Sequence, residues 1–440
     1  MTEITEINEV TQTSKANEVN VVDEVTEATL RLPEVSSLTP WDINAAKGSE
    51  VTTDETMIIN MGPQHPSTHG VLRIMLELKG ETVLRSKPII GYLHTGMEKT
   101  GEELTYAQGS TNVTRMDYLS PLNNELVFSL ATEALLGIEL PERAVWIRML
   151  MSELNRLSSH FMWMATNGMD LGSTSMMIYG FREREMILSF FAKTTGLRMN
   201  HNYIRPGGVA ADLPDGWQED VLAICDAIPP RLEEYDSMLS GQPIFWERTV
   251  GVGVITTQEA IALSVSGPIL RATGKPWDLR RAIPYLFYDQ VEFDVIVGKN
   301  GDAFDRYAVR LNEMRESVKI IRQIVDKMPL GDYRVDNKKV TPPPKIRIGE
   351  SMEALIHHFK LFTEGFKVPP GEVYTAIESP RGELGCYMVS DGTSKPYRMH
   401  IRGPSFYNLS GLPTMLKGGF IADAVAVISS ADPVLGEVDR

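Results

Sequence analysis

Cysteine is nearly missing from this sequence. Two occur in 440 residues, Cys225 and Cys386, far apart and in no CxxC pair. That excludes a disulfide framework and fits a reducing compartment. It also leaves the chain without an all-cysteine ligand set for an iron–sulfur cluster. A basic excess is missing too: 58 Asp and Glu against 43 Lys and Arg give a formal charge of −15. Phosphate contacts need clustered Lys and Arg, so the balance argues against a nucleic-acid partner. Long apolar runs are missing. The most apolar helical stretch, 146–164, carries Arg148, Glu153, Arg156 and His160, whereas a membrane-spanning helix needs about 20 mostly apolar residues. The start has neither the basic residues nor the apolar run of a signal peptide. The expectation is a cytoplasmic protein that other chains would bring to any membrane where it works.

The apolar content of 42% is enough for a real core, and the length suggests about three folded units. Residues 1–53 differ from the rest. They are rich in Glu, Thr, Asn and Val without a sustained apolar period, and read as a disordered acidic extension. Order is expected from about residue 57. Segments 57–61, 71–78 and 83–88 read as strands, with a polar loop at His65-Pro66-Ser67-Thr68-His69-Gly70. The middle reads as helical. After Pro141, the residues Trp146, Leu150, Leu154, Leu157, Phe161 and Met164 recur at spacings of three and four, and Asn167-Gly168 is the expected stop. Further helices are expected at 179–194, 217–239 and 304–327, with strand and turn at 251–255. Pro342-Pro343-Pro344 is a rigid linker, followed by a helix over 352–362 and then strands and turns to the C-terminus. The expected divisions are 1–53, the extension; 54–120, an N-terminal α/β part carrying the polar loop; 121–340, a central helical bundle; and 341–440, a mixed α/β part.

Single residues give weak signals. His65 and His69 have the four-residue spacing of two helical metal ligands, but Pro66 and Gly70 oppose a helix and no Cys or carboxylate lies near to complete a set. They read either as a polar turn capping backbone groups or as a loop presenting one imidazole to a pocket. Arg115-Met116-Asp117-Tyr118 alone reads as a helix start with a charge pair. Glu153, Arg156 and His160 share one side of a helix and suggest a structural polar network. Asp170 reads as a turn residue just past a helix end.

Taken together the motifs are specific. Met61-Gly62-Pro63-Gln64-His65-Pro66-Ser67-Thr68-His69-Gly70, Gly91-Tyr92-Leu93-His94-Thr95-Gly96-Met97-Glu98-Lys99, Arg115-Met116-Asp117-Tyr118, Phe181-Arg182-Glu183-Arg184-Glu185, Ile204-Arg205-Pro206-Gly207-Gly208, Arg381-Gly382-Glu383-Leu384-Gly385 and the closing Asp432-Pro433-Val434-Leu435-Gly436-Glu437-Val438-Asp439-Arg440 resemble the signatures of the 49 kDa (D-type) subunit family of NADH-quinone oxidoreductase, respiratory complex I. The resemblance covers nearly everything after about residue 53. That family is itself similar to the large subunit of nickel–iron hydrogenases. The resemblance therefore implies an α+β, hydrogenase-large-subunit-like fold with a small N-terminal β-rich part, a central helical bundle and a mixed C-terminal part. Hydrogenases hold their metals with two cysteine pairs. Here Asp117 and Ser120 stand at one pair and Val434 and Glu437 at the other, so no soft-ligand nickel site and no bound metal are expected.

By resemblance, His69 and Tyr118 hydrogen-bond the two sides of a quinone head-group, and Asp170 pairs with His69. An imidazole and a phenol suit a reaction that puts negative charge on two oxygens and consumes two protons. Electrons are expected from FMN and iron–sulfur clusters on partner subunits, with no cofactor held covalently by this chain. Arg115 and Arg205 are candidates to face the last cluster. The usual cluster-side histidine position is Asn200 here, with His201 beside it as the substitute. The implied partners are the iron–sulfur and membrane subunits of the complex. The implied place is the cytoplasmic side of the cell membrane, peripherally bound, and the implied activity is NADH-quinone oxidoreduction coupled to proton translocation. Three rivals remain at this point: an active hydrogenase-type metalloenzyme, an assembly scaffold that never touches quinone, and a related quinone reductase with a donor other than NADH.

Overall fold

A computed structural model describes residues 56–63 and 70–440. The extension at 1–53 and the loop histidines His65 and His69 lie outside the described residues. The fold is α+β. Three strands, β1 (Met57–Met61), β2 (Arg73–Lys79) and β3 (Thr82–Ile89), form an antiparallel sheet in the order β1-β2-β3. Alternation along β2 turns Ile74, Leu76 and Leu78 inward. They meet Leu412, Leu416, Val427 and Leu435 from the far end of the chain in one apolar cluster. The join is also hydrogen-bonded: Val83 N–H donates to the Gly419 carbonyl and Gly418 N–H to the Val83 carbonyl, both at 2.8 Å. The first and last described segments of the chain are thus packed together.

The principal helices of the middle are α1 (Pro121–Leu136), α2 (Glu142–Asp170), α3 (Ser175–Thr195), α4 (Trp217–Leu239) and α5 (Ala303–Lys327). They enclose a second, larger core that includes Leu126, Leu150, Leu154, Phe161, Ile228 and Ile321. Helix α2 is its axis, buried along 143–161 on its polar as well as its apolar side. A helix buried all round is normally apolar all round; this one keeps Arg148, Glu153, Arg156 and His160 inside because each has a buried partner. The expected stop at Asn167-Gly168 is overturned. The helix runs on to Asp170, and Gly168 lets α3 approach: a side chain there would begin 2.6 Å from Met176 Cβ. Asp170 is consequently the last helical residue, not a turn residue beyond the end.

Between α3 and α4 lies a two-residue strand pair, β4 (Ile204–Arg205) and β5 (Gly208–Val209). After α5 come a short helix at Lys345–Glu350 and α6 (Met352–Thr363). An antiparallel sheet of β6 (Gly371–Ser379), β7 (Gly382–Ser390) and β8 (Arg398–Arg402) follows. Two further expectations fail. Segment 251–255 is turn and extended chain without a strand: it meets the 301–303 segment through two separate bonds, Ile255 N–H to the Gly301 carbonyl at 3.1 Å and Ala303 N–H to the Val252 carbonyl at 3.0 Å, which form no ladder. The C-terminus is helical where strands and turns were expected: Pro404–Ser410, Leu412–Leu416, α7 (Ile421–Ala431) and α8 (Leu435–Asp439). Pro404 stands in the first turn, where a missing N–H costs nothing. Ile421, Ala424, Val427, Ile428 and Ala431 carry the helical period.

Candidate functional site

Tyr118 lies in the loop between the helix Tyr106–Val113 and α1. The loop is held from several sides. Asp117 Oδ1 accepts the Leu119 and Ser120 amides at 3.0 and 3.2 Å. Asn124 of α1 donates to the Asp117 carbonyl at 3.1 Å, and Asn155 of α2 donates to the Leu119 carbonyl at 3.1 Å. The phenol ring rests on the backbone of Gly436 in α8. A side chain at Gly436 would begin 2.4 Å from the Met116 carbonyl and 3.2 Å from the ring, so only glycine fits. The hydroxyl lies 3.8 Å from where a side chain of Gly70 would begin. Gly70 directly follows His69 in sequence. The fold thereby brings Gly70, the Arg115–Tyr118 motif and the C-terminal motif to one place. The Gly91 motif joins it: Gly91 and Leu93 amides donate to Asp439 at 2.8 and 2.7 Å.

Behind Tyr118 is a buried guanidinium. Arg381, in the turn between β6 and β7, donates through Nη1 to Asp117 Oδ2 at 2.7 Å and to Ser159 Oγ at 3.1 Å. Through Nε it donates to the Asp432 carbonyl at 3.2 Å, and through Nη2 to Asp432 Oδ1 at 3.3 Å. Asp432 caps α7 in the left-handed conformation, φ 54°, which an Asp tolerates better than most residues. Glu437, fully buried in α8, accepts the Ser405 amide on Oε2 at 3.0 Å. Its Oε1 has no hydrogen-bond partner among the described residues. Burial raises the Tyr118 phenol above its ordinary range, with Arg381 pulling the other way. Burial likewise raises Asp117 and pushes the Glu437 carboxyl up to about 7, with the neighbouring Asp117 charge adding to it. Asp117 and Asp432 thus share the Arg381 guanidinium, with Glu437 close by. Among the described residues no group of His, Cys, Asp and Glu is arranged to hold a metal.

The other predicted residues are placed as follows. Asp170 is half-buried at the end of α2 and is engaged, not free. Arg115 is exposed on the Tyr118 loop. Arg205 sits in a segment stapled from below by α1. Glu125 accepts the amides of Asn202, Tyr203 and Ile204 at 2.5, 2.8 and 2.9 Å and the Thr114 hydroxyl at 2.9 Å. Glu133 accepts the Gly207 amide at 2.7 Å. Arg148 pairs with Glu133 and donates to the Arg205 carbonyl at 2.8 Å. The Arg205 side chain donates to the Asn202 carbonyl at 2.9 Å, and burial lowers its affinity for its proton. His201 is buried against Phe191, its Nδ1 3.1 Å from both the Thr195 hydroxyl and the Leu197 carbonyl. Burial pushes its imidazole down to about 4, so it is neutral at pH 7.

The polar network read from Glu153, Arg156 and His160 is larger than three residues. Glu153 binds Arg280, Tyr288 and Ser317. His160 meets Glu313 at 3.2 Å, and Arg271 joins Glu313 to Glu378 at the end of β6. Arg381 as a hub was not foreseen. Its signal was an arginine in a strand-to-strand turn, Pro380-Arg381-Gly382, far from any acid in sequence that it binds. A surface cavity of about 910 Å³ lined by Tyr333, Arg334, Arg347 and His357 contains none of these site residues.

Residues 170–440 match the family model described as "Respiratory-chain NADH dehydrogenase, 49 Kd subunit". A relative from Salinispora arenicola, the first of its NADH-quinone oxidoreductase D-type subunits, is 53% identical over 418 residues, covering 91% of this chain and 95% of the relative. The corresponding NADH-quinone oxidoreductase protein of Acidothermus cellulolyticus is 53% identical over 404 residues, 88% of this chain and 92% of the relative. The second such protein of Chloroflexus aurantiacus is 55% identical over 389 residues, 88% and 95%.

Proposed function

The chain belongs to the family of the 49 kDa subunit of respiratory-chain NADH dehydrogenase and is a subunit of an NADH:quinone oxidoreductase, complex I; on that footing we propose that it forms the site where quinone is reduced. The observation that carries the reading is the position of Tyr118: its hydroxyl lies beside Gly70, the residue that follows His69 in sequence, with Arg381 behind it.

Reducing a quinone takes two electrons and two protons and builds negative charge on two oxygens. Tyr118 donates its O–H towards one oxygen, and His69 its N–H towards the other. Preorganised donors of this kind are worth most in a site screened from water. Arg381 lowers the cost of a phenolate after Tyr118 has given up its proton. Asp170 orients His69 and favours its cation, so that proton loss from the pair is the event that couples electron transfer to proton translocation. The iron–sulfur cluster of a partner subunit supplies electrons one at a time, relayed from NADH through FMN and further clusters. Arg115, Arg205 and His201 lie towards it, with the Glu125 staple keeping the Arg205 segment in place. His201, being neutral at pH 7, contributes polarity there and no titration.

The chain is held peripherally on the cytoplasmic side of the membrane through iron–sulfur and membrane subunits. No described helix is long and apolar enough to cross a membrane. An exposed apolar stripe on α6, with Met352, Leu355 and Phe359, suits burial against another subunit.

Tyr118→Phe tests the reading. It removes one oxygen and keeps the ring. A Tyr118 that only fills space would lose at most ~1–3 kcal/mol of stability, with near-normal turnover. A Tyr118 that hydrogen-bonds quinone would lose ~10²–10³ in quinone reduction. The expected pattern is full assembly, normal NADH oxidation by an artificial acceptor fed upstream, and the large loss with short-chain and long-chain quinones alike. Normal turnover with both quinones in an assembled variant would remove Tyr118 from the site and favour a scaffold.

A further inference from the structure

A phenol that gives up its proton at each turnover must be reprotonated, and Tyr118 is largely shielded from water. The groups around it are unbalanced in charge. Asp117 adjoins it in the chain, Asp432 and Glu437 come from the C-terminal segment, and Arg381 comes from the β6–β7 turn. Arg310 of α5 approaches from behind, its own donor Nη1 committed to the Ser430 carbonyl at 2.7 Å. Arg381 serves Asp117 and Asp432. Among the described residues Glu437 makes no ion pair; Arg381 acts on it only at a distance, Ser405 is its hydrogen-bonding partner, and its Oε1 is buried and unpartnered. Asp432 Oδ2, 3.2 Å from Arg381 Nη2, is also without an aligned donor. Three buried carboxylates face two guanidiniums, Arg381 and Arg310, so with all three ionised one negative charge is left over in a dry interior. A carboxylic acid at Glu437 would relieve this, and Glu437 adjoins Gly436, on which the Tyr118 ring rests.

We propose that Glu437, together with Asp117 and Asp432 around Arg381, holds one exchangeable proton and returns it to the Tyr118 phenolate after Tyr118 has protonated reduced quinone. The O–H bond of the carboxylic acid breaks, that of the phenol re-forms, and the carboxylate is reprotonated later from solvent, so no electron moves in this step. The cluster therefore acts through Tyr118 and is a positioning and proton-holding device, not a quinone ligand. Its value near 7 keeps Glu437 able to both give and regain a proton at neutral pH. The inference rests on the quinone-site reading above for its destination, but the stored proton is a separate observable.

Infrared difference spectroscopy of the complete membrane-bound enzyme, titrated across neutral pH, tests the store. A buried carboxylic-acid C=O band that disappears in Glu437→Gln is expected, and it persists in Tyr118→Phe. An identical band in Glu437→Gln overturns the proposal. Quinone turnover against pH tests delivery. With the store removed, the proton must come directly from solvent, and turnover of Glu437→Gln falls up to about tenfold for each unit rise in pH above neutrality, more steeply than wild type. A wild-type pH profile in Glu437→Gln overturns delivery even if the band is lost. Should that variant not assemble, Asp117→Asn decides: it removes a charge that favours the acid form, so the titration midpoint of the band falls, and an unchanged midpoint overturns the proposal. Normal quinone turnover in Tyr118→Phe is a different failure. It removes the quinone reading and the delivery step together, while the Glu437 band still decides whether the proton is stored.

Discussion

Arg381 meets its partner Asp117 across 264 residues of chain, and no local pattern announces such a pair. The reading of the C-terminal motif and of Asp117 from former cysteine positions found the two acidic ends of the cluster and missed the cation between them. The structure makes the cation testable. Arg381→Met has similar length but strands Asp117 and Asp432 as buried charges, and breaking a buried pair in this way costs about 3–5 kcal/mol. Arg381→Lys keeps the charge, but a single ammonium cannot reproduce a fork that reaches two carboxylates, a carbonyl and a hydroxyl at once. Thermal denaturation of the assembled enzyme should rank wild type above Lys above Met. A Met variant as stable as wild type would mean that the acids are neutral and the guanidinium is dispensable. Asp170 carries the other residue-scale prediction. Asp170→Asn keeps its shape and loses its charge, so a protonated His69 is less favoured. Quinone reduction should slow while the upstream clusters stay reducible by NADH; unchanged quinone turnover over a pH series would take Asp170 out of the mechanism.

Among the elements, those with strong periodicity were legible and those set by distant contacts were not. The helix Trp217–Leu239 was expected with its observed bounds, because its apolar period survives Pro229 and Pro230 inside it. Helix α2 overran its expected stop because Gly168 serves the packing of α3, a use that only the partner helix reveals. The C-terminal helices were hidden because each is short, the longest being the 11 residues of α7, and distant packing sets them: Leu412–Leu416 lies against β3, Pro404–Ser410 against α8, and α7 against α2 and α5. The 200–209 segment was read as a motif with no reason for its shape. Glu125 supplies one, since four donors converge on it and two asparagines, Asn200 and Asn202, take left-handed φ values of 52° and 47° around it. Glu125→Ala should leave three backbone amides unsatisfied, each costing about 1–3 kcal/mol where buried. The loss should be local. Hydrogen exchange should quicken at Asn202, Tyr203 and Ile204 and leave α2 protected; unchanged exchange at those three amides would show that β4–β5 pairing alone holds the segment.

Over the whole molecule the buried ionisable groups make a stability profile with pH whose sign can be worked out. Two carboxyls, Glu125 and Glu437, are raised from an ordinary 4.5 to about 7 by burial. The folded chain then holds two protons that the unfolded chain has released, so between 4.5 and 7 these groups cost stability as pH rises. Two imidazoles, His160 and His201, are lowered from an ordinary 6.5 by burial, His201 to about 4. Here the unfolded chain holds the protons, so over nearly the same window these groups cost stability as pH falls. The two pairs therefore act in opposite directions between about 4.5 and 6.5. Below 4.5 that opposition ends. Burial alone would raise Glu313, but the Arg271 guanidinium and the His160 hydrogen bond outweigh it and bring the carboxyl down from an ordinary 4.5 to about 2. Glu153 and Asp278 are lowered as well, against burial, by Arg156 and Arg280. Their contribution is fully present above the unfolded value and is lost as pH falls towards the folded one. For Glu313 alone this is on the order of 3 kcal/mol, comparable with a good part of a domain's net stability. Urea denaturation of the purified chain from about pH 3 to 8 should therefore show an acid limb beginning near 4.5. Glu313→Gln should lower stability at neutral pH, since Arg271 loses a partner, and make the acid limb shallower. An acid limb unchanged in Glu313→Gln would show that the interior network between α2, α5 and β6 does not govern the acid stability of the molecule.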